Sequence, residues 1–597
     1  MIISFVEHDF QIDYLIKNNL INDKLLIIPL SVASYIYLKK KKINFENPNR
    51  FFNNESHEKC LNHSNSIMSV VYTHENKFAF KGVCDWFANG IRHSSLNYTI
   101  YIIEIISNVV LQLNPNEIII LSYNKEKSAG WSMSIYDDYI TDILLLYCKQ
   151  NKFNFKVLDI NYKLKETSKN KSSFNKYFNF FNKINPSKEA AIFTSLNYNL
   201  YKIIKKIKNI SNKCQIILLE SNNLSFKKKL FLKIFYNIKF YNSYSDKLLK
   251  NDNLRNKYLQ IINNFKNSMN YNNLKYWKIV EFKITNEIIN NCIALEKESN
   301  YLENFIKKNN IKILFSPFSR GISYILGEIS QKFSLRALCI SHGTVVPYKN
   351  NLEKIENINI AKAVIYNDYP YVALQTKIAE NFFKQNPSKS TLLKTGPIVF
   401  TNLNELKKNK KIKILHASTY KNKQNIKFWG VETPFEFLES LKDLINVFKN
   451  NNNYELCIKL HPSIKFECNQ FEFIDILNLS DNIKFSSTSI ERELIDTNIL
   501  ISFSSTTIEE AIVNKIPVIL FDKWKRYNHY DSHDIDKLSF LPRPMYYSSD
   551  TQNIINNISK INNANKNNEI DWSDYLYPDM TYKNFDDFII ESFKNKY

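Results

Sequence analysis

Leu338-Cys-Ile-Ser-His-Gly-Thr-Val-Val-Pro347 runs a short apolar strand, Arg336 to Ile340, into a polar loop carrying His342 and Gly343. Two later stretches repeat the pattern. Leu456-Cys-Ile-Lys-Leu-His461-Pro462 ends a strand on a histidine. Ile499-Leu-Ile-Ser-Phe503 empties into Ser504-Ser505-Thr506-Thr507 just before a helix carrying Glu509 and Glu510. Open α/β sheets build ligand sites from polar residues at the carboxyl ends of their strands. Three such ends in order predict an enzyme that handles a nucleotide-activated building block.

The surrounding chain alternates strand and helix patterns, which implies βαβ units and mostly parallel sheets. Residues 1–165 read as the first part of an N-terminal Rossmann-like domain, with strands at Ile2–Val6, Lys24–Pro29, Glu117–Ser122 and Phe155–Asp159 and a helix over Tyr98–Leu113. Residues 166–290, rich in Asn and Lys, read as an insertion or one extra βαβ unit. Residues 291–401 read as the second part of the N-terminal domain, on the acceptor side, with strands at Ile311–Ser316, Arg336–Ile340 and Lys362–Asn367. A polar linker at 402–411 precedes a C-terminal donor-binding domain over 412–560. The remainder, 561–597, reads as a helical tail packing back across the N-terminal half.

With 597 residues and 44% hydrophobic content, the chain is too long for one core and apolar enough for several. Only 8 residues are Gly, against a usual share of about 7%, so Gly343 and Gly396 at strand ends gain weight. The formal charge is +22 and the pI about 9.2. The basic residues are nearly all Lys in a chain full of Asn and Ile, the bias an AT-rich genome produces. Attraction to an anionic membrane surface is a second reading. Nucleic acid is not expected as a partner, because arginine is scarce and no nucleic-acid motif occurs. The 8 cysteines form no C-x-x-C pair, which argues against zinc and redox frameworks. The amino terminus reaches charge at Glu7 and reads as a first strand rather than a signal peptide. The run Tyr98–Leu113 is too short to span a bilayer. A cytoplasmic protein is therefore expected. The stretch Phe226–Tyr241 mixes bulky apolar residues with Lys at near-helical spacing. It is either a helix lying on an anionic membrane or a packed helix with snorkelling lysines.

Chemistry is expected at the strand ends. Ser504, Ser505 and Thr506, with the helix start behind them, offer hydroxyl and N–H donors for phosphate, and Glu510 is placed for ribose hydroxyls. A plain capping box from Thr506 to Glu509 is the competing structural reading. His461, followed by Pro462, is a phosphate donor on the same strand face as Lys459. Gly343 permits close backbone approach, and His342 is a general base or phosphate ligand. Arg320 and Arg526, each following a strand, are candidates for holding anionic groups of the substrate. Asp9, after the first strand, is a second candidate for deprotonating an acceptor hydroxyl. Asp534-Ile-Asp536 is a short acidic triplet from which no metal is inferred, and no cofactor is expected.

The order of these loops resembles the CDP-glycerol glycerophosphotransferases of teichoic acid synthesis. The matching residues are His342-Gly343-Thr344, Ala417-Ser418-Thr419-Tyr420, Lys459-Leu460-His461-Pro462, Ser504-Ser505 and Lys515-Ile516-Pro517-Val518-Ile519. The His-Pro and Ser-Ser pair also resembles bacterial sialyltransferases and capsule-type transferases that use CMP-sugars. Glu509-Glu510-Ala511 is similar to UDP-N-acetylglucosamine 2-epimerases. These families imply an α/β, GT-B-like architecture of two facing Rossmann-like domains, here with an insertion in the N-terminal half. They imply a metal-independent transferase moving a group from a CMP- or CDP-linked sugar or polyol donor to a surface polysaccharide or lipid-linked acceptor, at the inner face of the cell membrane. Thr419, Lys459, His461, Pro462, Ser504, Ser505, Thr506, Glu510 and Gly343 would hold the donor. A nucleotide-sugar 2-epimerase and a non-catalytic assembly scaffold are the alternatives.

Overall fold

The computed structural model describes the whole chain except residues 124–137, 161, 163–183, 198, 221–223, 242–251, 342, 344, 402, 404–410, 421–425, 464–469, 579–580 and 595–597. Among the described residues there are three wholly parallel sheets and one two-stranded hairpin. The first sheet contains β1 (Ile2–Val6), β2 (Leu25–Pro29), β3 (Glu117–Ser122) and β4 (Phe155–Asp159) in the order β2-β1-β3-β4. The middle sheet begins with β5 (Ala190–Phe193), β6 (Gln215–Leu218) and β7 (Ile238–Phe240). The hairpin β8 (Asn270–Tyr271) and β9 (Leu274–Lys275) intervenes. The middle sheet then resumes with β10 (Ile311–Ser316), β11 (Arg336–Cys339), β12 (Tyr371–Leu374) and β13 (Thr391–Lys394), giving the order β13-β12-β11-β10-β5-β6-β7. The third sheet holds β14 (Ile412–Ala417), β15 (Tyr454–Lys459), β16 (Ile483–Phe485), β17 (Ile499–Ser502), β18 (Val518–Phe521), β19 (His533–Asp534) and β20 (Met545–Ser548), in the order β16-β15-β14-β17-β18-β20-β19.

The α/β architecture with two facing Rossmann-like units is therefore present, but its boundaries differ from the expectation. Residues 1–165 do not share a sheet with 291–401; they build a separate four-stranded unit. The stretch 166–290 supplies β5, β6 and β7, three of the middle sheet's seven strands, so of its two readings the extra βαβ unit, β5 to β6, is the one present. Low sequence punctuation hid this, because β5 pairs with β10 across more than a hundred residues, a partner that no local pattern specifies. Most of the linker at 402–411 lies outside the described residues. The tail does return: Phe585, Phe588 and Ile589 of the helix Tyr582–Lys594 join the core of the middle sheet beside Ile313 and Phe315.

One strand was misplaced. The apolar run Lys362–Asn367 is the last three residues of the helix Asn351–Val364 and the turn that follows it; the helix's N-cap Asn350 accepts a hydrogen bond from the Glu353 N–H. The strand comes later, after Pro370, at β12. Short apolar runs do not by themselves separate strand from helix. The helix read over Tyr98–Leu113 is also part of something longer. Lys81–Ile91, a π-helical turn at Arg92–Leu96 and Asn97–Leu113 run on continuously. By length and composition this run is apolar enough to cross a membrane, but 67% of its most apolar window is buried inside the protein. Ile100, Ile102, Ile103, Ile105 and Ile106 are all 0% exposed, each burial contributing roughly 1.5–3 kcal/mol. The buried carboxylate of its last segment is satisfied internally, since Glu104 accepts from Ser56 Oγ (2.8 Å), Tyr271 Oη (3.0 Å) and Asn272 Nδ2 (2.8 Å). A buried core helix explains it.

Candidate active site

A cavity of about 990 Å³ lies between the carboxyl ends of the middle and third sheets. From the third sheet, β14 delivers Ser418 and Thr419, β15 delivers His461, and β17 delivers Ser504, Ser505 and Thr506. From the middle sheet, β6 delivers Leu219 and Glu220, β10 delivers Phe318 and Arg320, and β11 delivers Gly343. Parallel strands all end on one side, so two parallel sheets facing each other put both sets of loops into one crevice.

The third-sheet wall is a histidine and a row of hydroxyls held in place by internal hydrogen bonds. His461 Nδ1 accepts from the Ser463 N–H at 3.2 Å. That bond places the neutral ring's proton on Nε2, which suits a phosphate oxygen. Ser504 Oγ donates to the Gly430 carbonyl at 2.5 Å, while Ser505 Oγ donates to Thr507 Oγ1 and accepts from the Thr507 N–H. Thr419 Oγ1 donates to Glu432 at 3.3 Å. Burial pushes the Glu432 carboxyl up to about 8. The helix behind these hydroxyls, Thr507–Val513, is a short one, and the Thr506 side chain makes no cap hydrogen bond, so the capping-box reading is not realised.

Gly343 sits directly against this wall. A Cβ on it would lie 2.7 Å from Thr506 Cγ2. The glycine therefore serves the close approach of the two units to each other. A second glycine, Gly321, adopts φ +52 beside the Trp86 ring, and this turn carries Arg320 to the cavity rim.

Several expected residues stand elsewhere. Asp9 is exposed at the first turn of the helix Asp9–Lys17, on the separate four-stranded unit, and its Oδ1 accepts from the Phe10 N–H. It does not line the cavity. Lys459 Nζ donates to the Thr488 carbonyl, and Pro462 is exposed; neither lines the cavity. Glu510 points away from it, with Glu491 and Lys202 as its charged neighbours and burial raising its carboxyl to about 7. The preceding carboxylate, Glu509, lines the cavity and accepts from Thr376 Oγ1 at 2.9 Å across the gap. Arg526 does not line the cavity. Its guanidinium is fully enclosed and makes a two-pronged pair with Glu436 (2.5 and 3.0 Å), whose Oε1 also meets His57 Nε2 at 2.8 Å. His342 lies outside the described residues.

The middle-sheet wall holds residues that the motif reading missed. Glu220 follows β6, and burial raises its carboxyl while a hydrogen bond from Ser323 opposes this. Its signal is the same strand-end pattern, in a stretch read as an insertion or an extra βαβ unit. Glu298, Lys427 and His93 also line the cavity. His93 belongs to the π turn, and π turns gather at functional sites without leaving a local sequence mark. At the floor, Tyr527 Oη meets His529 Nδ1 at 2.8 Å and reaches Asn357 at 3.4 Å. Burial lowers His529 to about 3, so it stays neutral.

Residues 398–574 match the family model of CDP-Glycerol:Poly(glycerophosphate) glycerophosphotransferase. The resemblance read from the His-Pro and Ser-Ser loops is borne out over that segment, which contains the entire third-sheet wall. The chain is also similar to the UDP-GlcNAc 2-epimerase of Methanocaldococcus jannaschii in complex with UDP-GlcNAc and UDP, at 13% identity over 68% of this chain and 99% of that one, with a TM-score of 0.39. A structure of the wall teichoic acid polymerase TagF with CDPG matches at 12% identity, 70% and 92% coverage and a TM-score of 0.36. The UDP-GlcNAc 2-epimerase of Neisseria meningitidis bound to UDP-GlcNAc matches at 11% identity, 68% and 100% coverage and a TM-score of 0.37. These superpositions are loose, and the fold rests on the sheet orders above. No curated protein matches the chain significantly.

Proposed function

We propose that this protein is a transferase that moves a glycerophosphate-like or sugar group from a CMP- or CDP-linked donor to a surface polysaccharide or lipid-linked acceptor at the inner face of the cell membrane. The observation that carries the reading is that the segment matching the glycerophosphotransferase family supplies one complete wall of the interdomain cleft, with His461, Ser504, Ser505 and Thr506 together on it. In this reading His461 Nε2–H and the Thr506 hydroxyl bind the donor phosphates, joined by Ser504 and Ser505 once their protons turn from the Gly430 carbonyl and Thr507 Oγ1, and together they stabilise the charge that grows on the leaving phosphate. Donors aimed at where charge develops act on the transition state more than on the ground state. Arg320 and Lys427 complete the positive lining, and Glu509 is placed for ribose hydroxyls in the role first given to Glu510.

Two residues compete for the acceptor proton: His342, adjacent to Gly343 in sequence, and Glu220 on the middle-sheet rim. The alcohol proton passes to one of them as its oxygen attacks the donor. Replacing the true base flattens the acid limb of the kcat/KM profile, whereas replacing the other leaves that limb in place. Metal independence belongs to the proposal, and activity unchanged by EDTA is the expected outcome. The acidic triplet has a structural use, since Asp536 accepts from Ser548, Ser549 and Asn553.

The direct test is a thermal-shift series with CMP, CDP, UDP, GDP and ADP on wild type and on His461→Ala. A ligand at a hundredfold excess over its dissociation constant stabilises by about 2.7 kcal/mol. A cytidine nucleotide should shift the wild type and lose its effect in the variant. No shift with any nucleotide would overturn the donor site. Conversion of a nucleotide sugar to its 2-epimer without acceptor would instead identify an epimerase.

A further inference from the structure

The helix Phe226–Tyr236 has its polarity turned outward in the wrong sense for a surface helix. Leu230, Phe231, Ile234 and Phe235 are 40%, 49%, 64% and 69% exposed. At about 100° per residue these four cover an arc of roughly 140°. Lys227 falls inside that arc and Lys228 at its margin, and both are exposed. Lys229 and Lys233, by contrast, are half-buried on the side where Leu232 packs into the middle-sheet core, and burial lowers both their pKa values. The Phe231 and Phe235 rings lie 4.6 Å apart, forming one apolar ridge. A surface helix of a water-soluble domain ordinarily shows the reverse arrangement.

We propose that this ridge docks the protein on an anionic lipid bilayer. The occupant follows from the combination of side chains. Two aromatics and two aliphatics standing out from a helix suit the acyl boundary, and the flanking lysines on a chain of net charge +22 suit acidic headgroups. The helix connects β6 to β7, and the residues that follow these two strands, Leu219 and Glu220 after β6 and Tyr241 after β7, line the cleft. Docking this helix therefore sets the β6–β7 edge of the middle sheet against the bilayer, the edge whose strand ends line the cleft that a lipid-linked acceptor would enter. The acceptor role rests on the reading proposed above, whereas the docking itself does not.

The experiment is co-sedimentation of the full chain with vesicles of phosphatidylcholine alone and of phosphatidylcholine mixed with phosphatidylglycerol, at low and high salt. Wild type should pellet with the mixed vesicles, and high salt should weaken this. The double variant Phe231→Ser/Phe235→Ser should lose at least tenfold in partitioning. Lys227→Glu/Lys228→Glu should lose the preference for acidic lipid. Both changes are at exposed positions, and an unchanged thermal melt verifies the fold. Absence of wild-type binding, or binding that survives both double variants, overturns the proposal. So does a wild-type dimer that the Phe231→Ser/Phe235→Ser variant dissolves, because the ridge would then be covered by a second copy. Nucleotide-induced thermal shifts measured on the same samples separate the two proposals. Vesicle binding without any nucleotide shift leaves docking standing and removes the donor reading.

Discussion

At Gly343 a single missing methyl group sets how closely the two walls approach. Alanine there would place its Cβ 2.7 Å from Thr506 Cγ2 and 3.4 Å from Thr506 Cβ, and a β-branched side chain has little freedom to turn away. Gly343→Ala should cost about 1–3 kcal/mol as overpacking and weaken nucleotide binding. Thr506→Ser removes the offending methyl and should restore both in the double variant, read by denaturation and by titration calorimetry. Its scarcity and its strand end drew attention to this glycine as a place of close approach to a ligand, but the contact it makes, with a loop more than 150 residues away, has no local signal. The Glu509-Glu510 pair shows the same limit. Both begin a helix one step apart, so a turn of about 100° decides which faces the cleft, and periodicity in a seven-residue helix is too short to settle it. Glu510→Gln supplies the check. A carboxyl raised to about 7 keeps its proton in the fold between pH 4.5 and 7 while the unfolded chain has lost it, so it lowers stability as pH rises through that window. The glutamine variant should gain stability over wild type above pH 7 and show no gain below pH 4.5, measured as urea midpoints. Its nucleotide shift should be kept, whereas Glu509→Gln should diminish it.

Among the elements, the helix Pro434–Lys449 does more than cover the third sheet. Its N-terminal Glu436 stands 1% exposed between Arg526 and His57, the latter from the helix Asn54–Tyr72 of the first unit. Burial alone would raise the Glu436 carboxyl, but Arg526 and His57 outweigh it and hold it well below the usual range. Glu436→Gln leaves the Arg526 guanidinium buried beside a neutral partner and should cost about 3–5 kcal/mol. The loss should appear in the thermal melt at neutral pH and fade as acid protonates the wild-type carboxyl. Sequence reading singled out Arg526 because it follows a strand end. It could not tell a guanidinium facing a ligand from one facing an internal carboxylate, since the distinguishing partner lies 90 residues away. Strands with polar ends were legible because a buried parallel strand needs a continuous apolar run. The helix Asn351–Val364 was not, because its last turn, Ala361 to Ile365, is equally apolar.

For the whole molecule, alternation of strand and helix was enough to name the α/β class, and the family segment at 398–574 coincides with the unit whose strand ends were most clearly punctuated. The grouping of strands into three sheets was not legible, because which strand neighbours which is settled by pairings such as β5 with β10. The returning C-terminal helix was legible as amphipathic, and Phe588 shows what anchors it. This ring is 3% exposed, 4.8 Å beneath the Arg336 guanidinium and 4.9 Å from the Tyr371 ring. Phe588→Ala should cost about 3–5 kcal/mol and make the tail cleavable by protease in the native state. The polar contacts that cross between units bear on motion. Thr376 to Glu509 and Asn357 to Tyr527 join the middle and third units, His57 to Glu436 ties the first unit to the third, and the tail ties the end of the chain back to the middle sheet. A hinge needs one free edge, and here the seam is fastened along several. Ligands would then thread a fixed doorway, with entry rates rising linearly with nucleotide concentration and no slow plateau from a domain swing.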